Sequence, residues 1–229
     1  MNYLCLIPAR GGSKGIPRKN LLPTAGRPLL CWTIEQALAV PGDVRVVVST
    51  DDDEIAGVAE AAGAEVPFRR PAALAADEST TEAAVLHALE ALAGTGYRPD
   101  AVVLLQATSP VRHDGTIARA IEQFEREGSD ALVGVVPAAP FFWHATEPPH
   151  ALYPVGERPR RQDLSAADLL YREIGSLYVT RTSTYESEHN RLGGHLSLFV
   201  MHEDEGIDID TRLDHALAEL VLQRPEPPR

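Results

Sequence analysis

Lysine is nearly absent from this chain. Its 229 residues include 19 arginines but only two lysines, Lys14 and Lys19, and both fall in one stretch near the start. Cysteine is equally scarce. Cys5 and Cys31 stand apart, without metal-ligand spacing, which argues against a disulfide framework or a cysteine metal centre. Reduced, buried thiols are expected, in keeping with a cytoplasmic location. Long hydrophobic runs are also missing. The early apolar run "YLCLIP" (3–8) stops at "RGGSK", so neither a signal peptide nor a membrane span is expected. No repeat or low-complexity tract precedes the Pro-rich end, "RPEPPR" (224–229). Positive charge is in deficit, with a formal net charge of −12. A field of that sign repels nucleic acid, so no DNA or RNA partner is expected. What remains is a chain with 44% apolar residues, enough for one sizeable core.

Strand-like and helix-like segments alternate. "YLCLIP" (3–8), "VRVVVST" (44–50), "AEVPF" (64–68), "AVVLL" (101–105) and "DALVGVVP" (130–137) read as strands from their apolar and β-branched content. "PLLCWTIEQALAV" (28–40), "DDEIAGVAEAAG" (52–63), "TTEAAVLHALEALAG" (80–94) and "DGTIARAIEQFEREG" (114–128) have helical periodicity, with Pro28 at a start, Thr80 or a neighbour as a cap, and Gly63 and Gly94 as stops. This order predicts an α/β, three-layer architecture: a mostly parallel sheet with helices on both faces. Residues 138–172 break the pattern with prolines and aromatics and read as an excursion from the sheet. "GSLYVTR" (175–181) and "HLSLFVMH" (195–202) resume strand character, and "TRLDHALAELVLQ" (211–223) closes the chain as a helix.

The two lysines belong to "IPARGGSKGIPRKN" (7–20), which holds Arg10, Lys14, Arg18, Lys19 and three glycines, Gly11, Gly12 and Gly15, with no acid. The first fifty residues carry six Lys/Arg and two Asp/Glu, a local excess of +4 in an acidic chain. A Gly-rich loop leaving a strand can offer backbone N–H groups to phosphate oxygens, and the cations add charge. Neither G-x-x-x-x-G-K-[ST] nor G-x-G-x-x-G is present. A solvated basic turn is the plainer alternative. In parallel sheets, ligands sit beyond the carboxyl ends of the strands, where this loop begins. "STDDD" (49–53) and "QATSPVR" (106–112) leave other strands at the same edge.

A second stretch, "GIDIDTRLD" (206–214), alternates isoleucine with aspartate. An extended segment would send Asp208 and Asp210 to one face and Ile207 and Ile209 to the other. Two hard carboxylates on one side suit Mg²⁺ or another divalent cation, whose shell is completed by water and phosphate oxygens. Asp210 could instead only cap the helix that begins near Thr211.

"ARGGSKGIPRKN" (9–20) resembles the opening signature of the CMP-sialic acid synthetases, or acylneuraminate cytidylyltransferases. "VSTDD" (48–52), "RPAALA" (70–75), "LLQATSPVR" (104–112), "RRQDL" (160–164), "GSLYV" (175–179) and "DIDTRLD" (208–214) follow in family order, over nearly the whole chain. The resemblance implies a single domain, 1–229, of the Rossmann-like nucleotidyltransferase fold. It also implies that the excursion 138–172 serves dimerisation and the sugar pocket. Ala9, Arg10, Gly11, Gly12, Ser13, Lys19 and Asn20 would hold the triphosphate and ribose of CTP. Arg70 and Thr81 would meet the cytosine, and Gln106 and Ser109 the nucleotide–sugar junction. Arg160, Arg161, Arg172 and Tyr178 are candidates for the sugar acid, whose carboxylate suits an arginine fork. Asp208 and Asp210 would carry Mg²⁺ and, with Arg10 and Lys19, form the catalytic set. His113, His144 and His150 read as surface or packing residues.

The implied reaction transfers CMP from CTP to the anomeric hydroxyl of a 2-keto-3-deoxy nonulosonic acid, releasing pyrophosphate, in a homodimeric enzyme that needs neither nucleic acid nor a membrane. Three departures fall on the sugar side. Ile174-Gly175-Ser176 stands where many members have Asn-Gly-Ala, no lysine follows Lys19, and "DLSAADLLY" (163–171) is longer than usual. A different sugar acid or sugar phosphate is therefore an alternative, as is a non-catalytic nucleotide-binding protein.

Overall fold

The computed structural model describes residues 1–13, 15–139, 141–158, 160–164 and 169–223, and for Arg161 the backbone only. Lys14 lies outside the described residues. In chain order the elements are β1 (Tyr3–Pro8), β2 (Pro23–Thr24), β3 (Arg27–Pro28), α1 (Leu29–Leu38), β4 (Val44–Ser49), α2 (Asp53–Ala61), α3 (Thr81–Ala93), β5 (Ala101–Leu105), α4 (Thr116–Glu127), β6 (Ala131–Ala138), β7 (Trp143–His144), β8 (His150–Ala151), β9 (Leu170–Arg181), α5 (Thr182–Glu188), β10 (Leu196–Val200) and α6 (Arg212–Leu222). Short 3₁₀ turns punctuate them, notably Lys19–Leu21 and Glu203–Gly206.

Six strands form one sheet in the order β10-β6-β9-β5-β1-β4. β4, β1 and β5 are mutually parallel, as are β10 and β6. β9 runs antiparallel to both of its neighbours, so the sheet is mixed and mostly parallel. Strand residues alternate between two buried faces. Tyr3, Cys5, Ile7, Val103 and Leu105 face the cluster that packs Ile34 of α1, Ile55 of α2 and Phe124 of α4. Leu4, Leu6, Val102 and Leu104 face Val85, Ala88 and Leu92 of α3 and Tyr185 of α5. Both faces being dry explains why these strands read as continuous apolar runs. Burying each such leucine contributes roughly 1.5–3 kcal/mol.

Several helices start and stop as their sequences dictate. Asp52 accepts from the Ile55 amide at 2.9 Å to cap α2, and Thr80 accepts from Ala83 at 3.2 Å to cap α3. α4 buries Ile117, Ala120, Ile121 and Phe124, a one-sided stripe at helical spacing. Three expectations need correction. "AEVPF" makes only an isolated bridge, Val47 to Glu65, since its proline interrupts a ladder. β9 begins at Leu170, five residues before the expected start. Its outer half, Leu170–Glu173, is exposed and polar in part, which hides its strand character. Residues 170–172 therefore belong to the sheet rather than to the excursion. α5 escapes sequence reading because it is short and buries only Thr184 and Tyr185. Pro28 ends β3 and is the N-cap residue of α1, at the helix start as expected.

Register places Pro8 beside Ser49 and Leu6 beside Leu104. The segments after β1, β4 and β5 therefore leave one edge of the sheet together. The remaining excursion carries the small hairpin of β7 and β8, with Phe142 and Trp143 exposed.

Candidate active site

A cleft of about 410 Å³ opens at that edge. Its wall takes Arg10, Ser13, Gly15, Lys19 and Asn20 from the first loop, Arg70 from the segment after β4, Thr81 from the start of α3, Gln106 after β5, and Asp208 and Asp210 before α6. Residues almost two hundred positions apart thus share one hollow, in the place expected for a ligand of such a sheet.

The loop is held by side chains rather than by glycine torsions. The Asn20 amide donates to the Arg10 carbonyl at 3.0 Å and ties its two ends together. Gly11, Gly12 and Gly15 are not in the left-handed region; Arg18 is, at φ 56°. Gly11 and Gly15 are needed for proximity instead. A Cβ at Gly11 would lie 2.8 Å from Asp52 Oδ2, and one at Gly15 would lie 2.7 Å from the Asp210 carbonyl oxygen. Gly12 has open space around its Cβ position.

The loop cations do not act alike. Lys19 is buried, and its ammonium donates to the Ile209 carbonyl and to Asp210 Oδ1, the latter at 3.0 Å. Arg10 reaches the Ala75 carbonyl at 3.3 Å and pairs with Asp77 at 3.0 Å across the cleft. Arg18 does not line the cleft. It pairs with Asp52 and Glu54 at the start of α2, which raises its own pKa and holds the Asp52 carboxyl below its usual range. Gly11 cannot offer its amide to a ligand as it stands, because that N–H donates to Asp51 Oδ1 at 3.0 Å. Ala9 is fully buried and continues the ladder by donating to the Ser49 carbonyl. Ala9, Gly11 and Gly12 therefore shape the loop without lining the hollow.

Across the cleft, Arg70 is 7% exposed and donates to the Ser49 carbonyl at 2.8 Å. Burial lowers its pKa, partly offset by Asp51. Its Nε and the hydroxyl of Ser79 are buried in the wall with no hydrogen-bond partner among the described residues. Both residues line the cleft beside Thr80 and Thr81. Ser79 has no distinguishing sequence pattern, and sequence reasoning passed over it.

The aspartate segment is not a named strand, yet its alternation holds. Ile209 is fully buried, with Ile207 packed nearby, against Ile16, Leu29, Val111 and Ala218. Asp208 and Asp210 turn into the cleft. The cap of α6 is Thr211, in a reciprocal pair with Asp214, so Asp210 is not the cap. Asp208 accepts from the buried Ser109 hydroxyl at 3.3 Å. Ser109 thus stands behind an aspartate rather than at the cleft surface.

Gln106 does reach the cleft. Its amide lies over Gly175, where any Cβ would collide with it. Its carbonyl accepts from Arg112, a buried guanidinium that also bonds Thr33, Gln36 and the Ser176 carbonyl. Burial pushes Arg112 down to about 10. Arg112 carries no sequence signal for this role, although it fixes the backbone that presents Gln106.

The remaining candidates lie elsewhere. Tyr178 does not line the cleft. It packs inside the core, donates to Glu173 at 2.7 Å, and sits under the Arg191 guanidinium. Inward strand positions of β9 meet α3 and α5, which explains its placement. Arg160 pairs locally with Asp163 at 2.5 Å, away from the cleft. The side chain of Arg161 is outside the described residues. Arg172 donates to the Gly206 carbonyl at 3.1 Å and lines a second hollow of about 760 Å³. That hollow shares Asp208 and Asp210 with the first cleft, so the two aspartates stand between them. His144 and His150 face each other in the exposed hairpin, 4.9 Å between ring centres.

Two carboxylates bordering an anion-suited cleft fit a hard cation such as Mg²⁺, which needs only one or two protein carboxylates beside phosphate oxygens. One of the pair, Asp210, already carries a cation partner in Lys19, and its side chain is 77% exposed, leaving room for another ligand shell.

Comparison with known proteins follows the same line. The family profile described as "Cytidylyltransferase" matches residues 4–208. A pseudaminic acid cytidylyltransferase of Campylobacter jejuni is 33% identical over 228 residues, covering 97% of both chains. A CMP-N,N'-diacetyllegionaminic acid synthase of Legionella pneumophila is 34% identical over 229 residues, again 97% of both. N-acylneuraminate cytidylyltransferase B of Danio rerio is 36% identical over 220 residues, 93% of this chain and 50% of that protein. A solved CMP:2-keto-3-deoxy-manno-octonic acid synthetase complexed with CTP shares the fold, with a TM-score of 0.71 at 16% identity over 97% of this chain and 98% of that one. The chain is a nucleotidyltransferase and belongs to the cytidylyltransferase family.

Proposed function

We propose that this enzyme transfers CMP from CTP to the anomeric hydroxyl of a nonulosonic acid, releasing pyrophosphate. The observation that carries the reading is the single cleft in which the loop cations face Asp208 and Asp210. The names of the three sequence relatives, all for sugar acids of this class, support the acceptor.

Attack of a hydroxyl on the α-phosphorus builds negative charge on the departing pyrophosphate and the equatorial oxygens. The protein's task is alignment and positive charge. Arg10 and Lys19 supply that charge from the first loop, with Ser13 and the backbone near Gly15 beside them. Arg10 exchanges its Asp77 partner for phosphate as the nucleotide enters. Arg70, Ser79 and Thr81 share the wall that would face the base or sugar of the nucleotide. The acceptor sugar lies beyond the aspartates in the second hollow, where Arg172 can meet its carboxylate. Asp208 and Asp210 would hold Mg²⁺, which when bound neutralises phosphate charge.

We further propose a homodimer formed through the excursion, whose exposed Phe142, Trp143 and Leu152 give it an apolar face. Light scattering on the purified protein tests this, and a monomer refutes it. The location is proposed to be cytoplasmic; among the described residues no helix is long and apolar enough to cross a membrane.

Pyrophosphate release, measured with each of the four nucleoside triphosphates against a panel of 2-keto sugar acids and sugar phosphates, tests the activity. Release with CTP and a nonulosonic acid alone is expected. CTP binding without release for any acceptor would overturn it in favour of a nucleotide-binding role.

A further inference from the structure

Beside the second hollow lies a cluster that the reaction does not use. Asp204 Oδ1 is 3.0 Å from His113 Nε2 and 2.7 Å from His202 Nδ1, and the two imidazole rings stand 5.1 Å apart. One ligand atom from each residue lies within 4.8 Å of the other two, and among the described residues no other such group of three brings histidine together with carboxylate. From these positions we propose a second metal site, formed by His113, His202 and Asp204, for a borderline divalent cation of the Zn²⁺ or Co²⁺ type.

Ligand chemistry separates this site from the aspartate pair. Imidazole suits Zn²⁺, Co²⁺ and Ni²⁺, whereas Mg²⁺ takes oxygen. Geometry is close to what is required. Tetrahedral ligands at 2.0–2.1 Å from zinc lie about 3.3 Å from each other. The two His–Asp distances reach that value by opening a few tenths of an ångström, and the two histidine nitrogens, which lie within 4.8 Å of each other, close toward it by turning the exposed His202 ring.

The arrangement is also built rather than incidental. His113 follows β5 and His202 follows β10, far apart in sequence. The buried carboxylate of Glu205 brings them together: it accepts from the His113 amide at 2.9 Å and from the His202 amide at 2.8 Å. It also accepts from the Thr116 hydroxyl at 2.5 Å, which anchors it to the start of α4. A carboxylate that fixes both ligand-bearing backbones is the kind of outer support that metal sites use.

Three protein ligands leave one tetrahedral position open, as in zinc sites that bind a further group. His202 and Asp204 line the second hollow together with Arg172 and Asp208. An ion held there stands at the hollow's wall, where water or a carboxylate can complete its shell.

The test needs no substrate. Co²⁺ is titrated into the full chain with Mg²⁺ in excess to occupy oxygen sites, and visible absorption reports imidazole coordination. One equivalent with a tetrahedral spectrum, displaced by Zn²⁺, is expected. His202→Ala should weaken binding at least about tenfold. The His202 side chain is 66% exposed, so the variant keeps its fold, which circular dichroism checks. His113→Ala should behave alike, and Asp210→Asn should bind as the parent does. An absent Co²⁺ spectrum, unchanged affinity in His202→Ala, or loss of the spectrum in Asp210→Asn would each overturn the assignment.

Discussion

Alanine at Gly15 tests the architecture of the cleft directly. A Cβ there would lie 2.7 Å from the Asp210 carbonyl oxygen, about 0.7 Å inside the 3.4 Å at which ordinary contact begins. The obstacle is backbone, so no side chain can swing aside. Either the first loop or the aspartate segment must retreat by most of that distance. Lys19 is bonded to the Ile209 carbonyl and to Asp210, so any retreat pulls on both bonds. A displacement approaching 1 Å between groups that align a reaction costs about 100-fold in rate. Overpacking of this kind costs about 1–3 kcal/mol in stability. Gly15→Ala should therefore lower kcat/KM for CMP transfer by about 100-fold while the protein stays folded. Gly12→Ala is the internal control. Its Cβ position is open and its φ is not left-handed, so activity and stability should stay near the parent, within about 0.5 kcal/mol for stability. The assay is pyrophosphate release at varied CTP, with thermal unfolding on the same samples. Parent-like turnover in Gly15→Ala, or equal losses in both variants, would show that the loop and the aspartates are not in functional register.

Lys19→Ala should lower kcat far more than it weakens CTP binding, measured by calorimetry; equal losses would mean that Lys19 only binds ground-state nucleotide. Asp210→Asn should abolish divalent-dependent turnover, and a variant with full Mg²⁺-dependent activity would leave Asp210 without a metal role. Thr80→Ala removes the cap of α3 and should cost about 1 kcal/mol in chemical denaturation; no change would mean that water replaces the hydroxyl. Cys5 is fully buried and its thiol is pushed up to about 12, chiefly by burial, so a disulfide reagent at pH 8 should label it only on unfolding. Rapid labelling of Cys5 in the native protein would contradict the packing of β1.

The elements most open to sequence reading were those whose burial is uniform. β1, β4 and β5 are dry on both faces, and the stripe of α4 faces one way, so pattern and packing coincide. β9 was half legible for the opposite reason. Its inner half is buried, but its outer half pairs with β6 while exposing Leu170, Tyr171 and Arg172, and no single period covers both. Its direction was not legible at all, because an antiparallel insertion depends on how the excursion returns the chain. The site divides in a similar way. Residues in a local run, such as Arg10 to Asn20 or Asp208 to Asp210, could be nominated from the chain itself. Arg112, Ser79 and the meeting of His113 with His202 arise only from packing between distant segments.

The crowding of cations in an acidic chain also has a physical explanation. The first loop contains no acid, yet none of its described cations is left bare. Arg10 meets Asp77, Arg18 meets Asp52 and Glu54, and Lys19 meets Asp210. Every counter-charge comes from a different segment across a loop boundary. These pairs set the loop in place before any nucleotide arrives, and they differ in cost to break. Arg18 and its partners lie outside the cleft and can persist throughout. Arg10 and Lys19 line it with Asp77 and Asp210, so in the proposed reaction an entering triphosphate would compete for their cations. On the proposed function, the carboxylates at the cleft would repel a triphosphate lacking a bound cation and favour one that arrives with its metal, so the excess of acid elsewhere is no obstacle to anion binding.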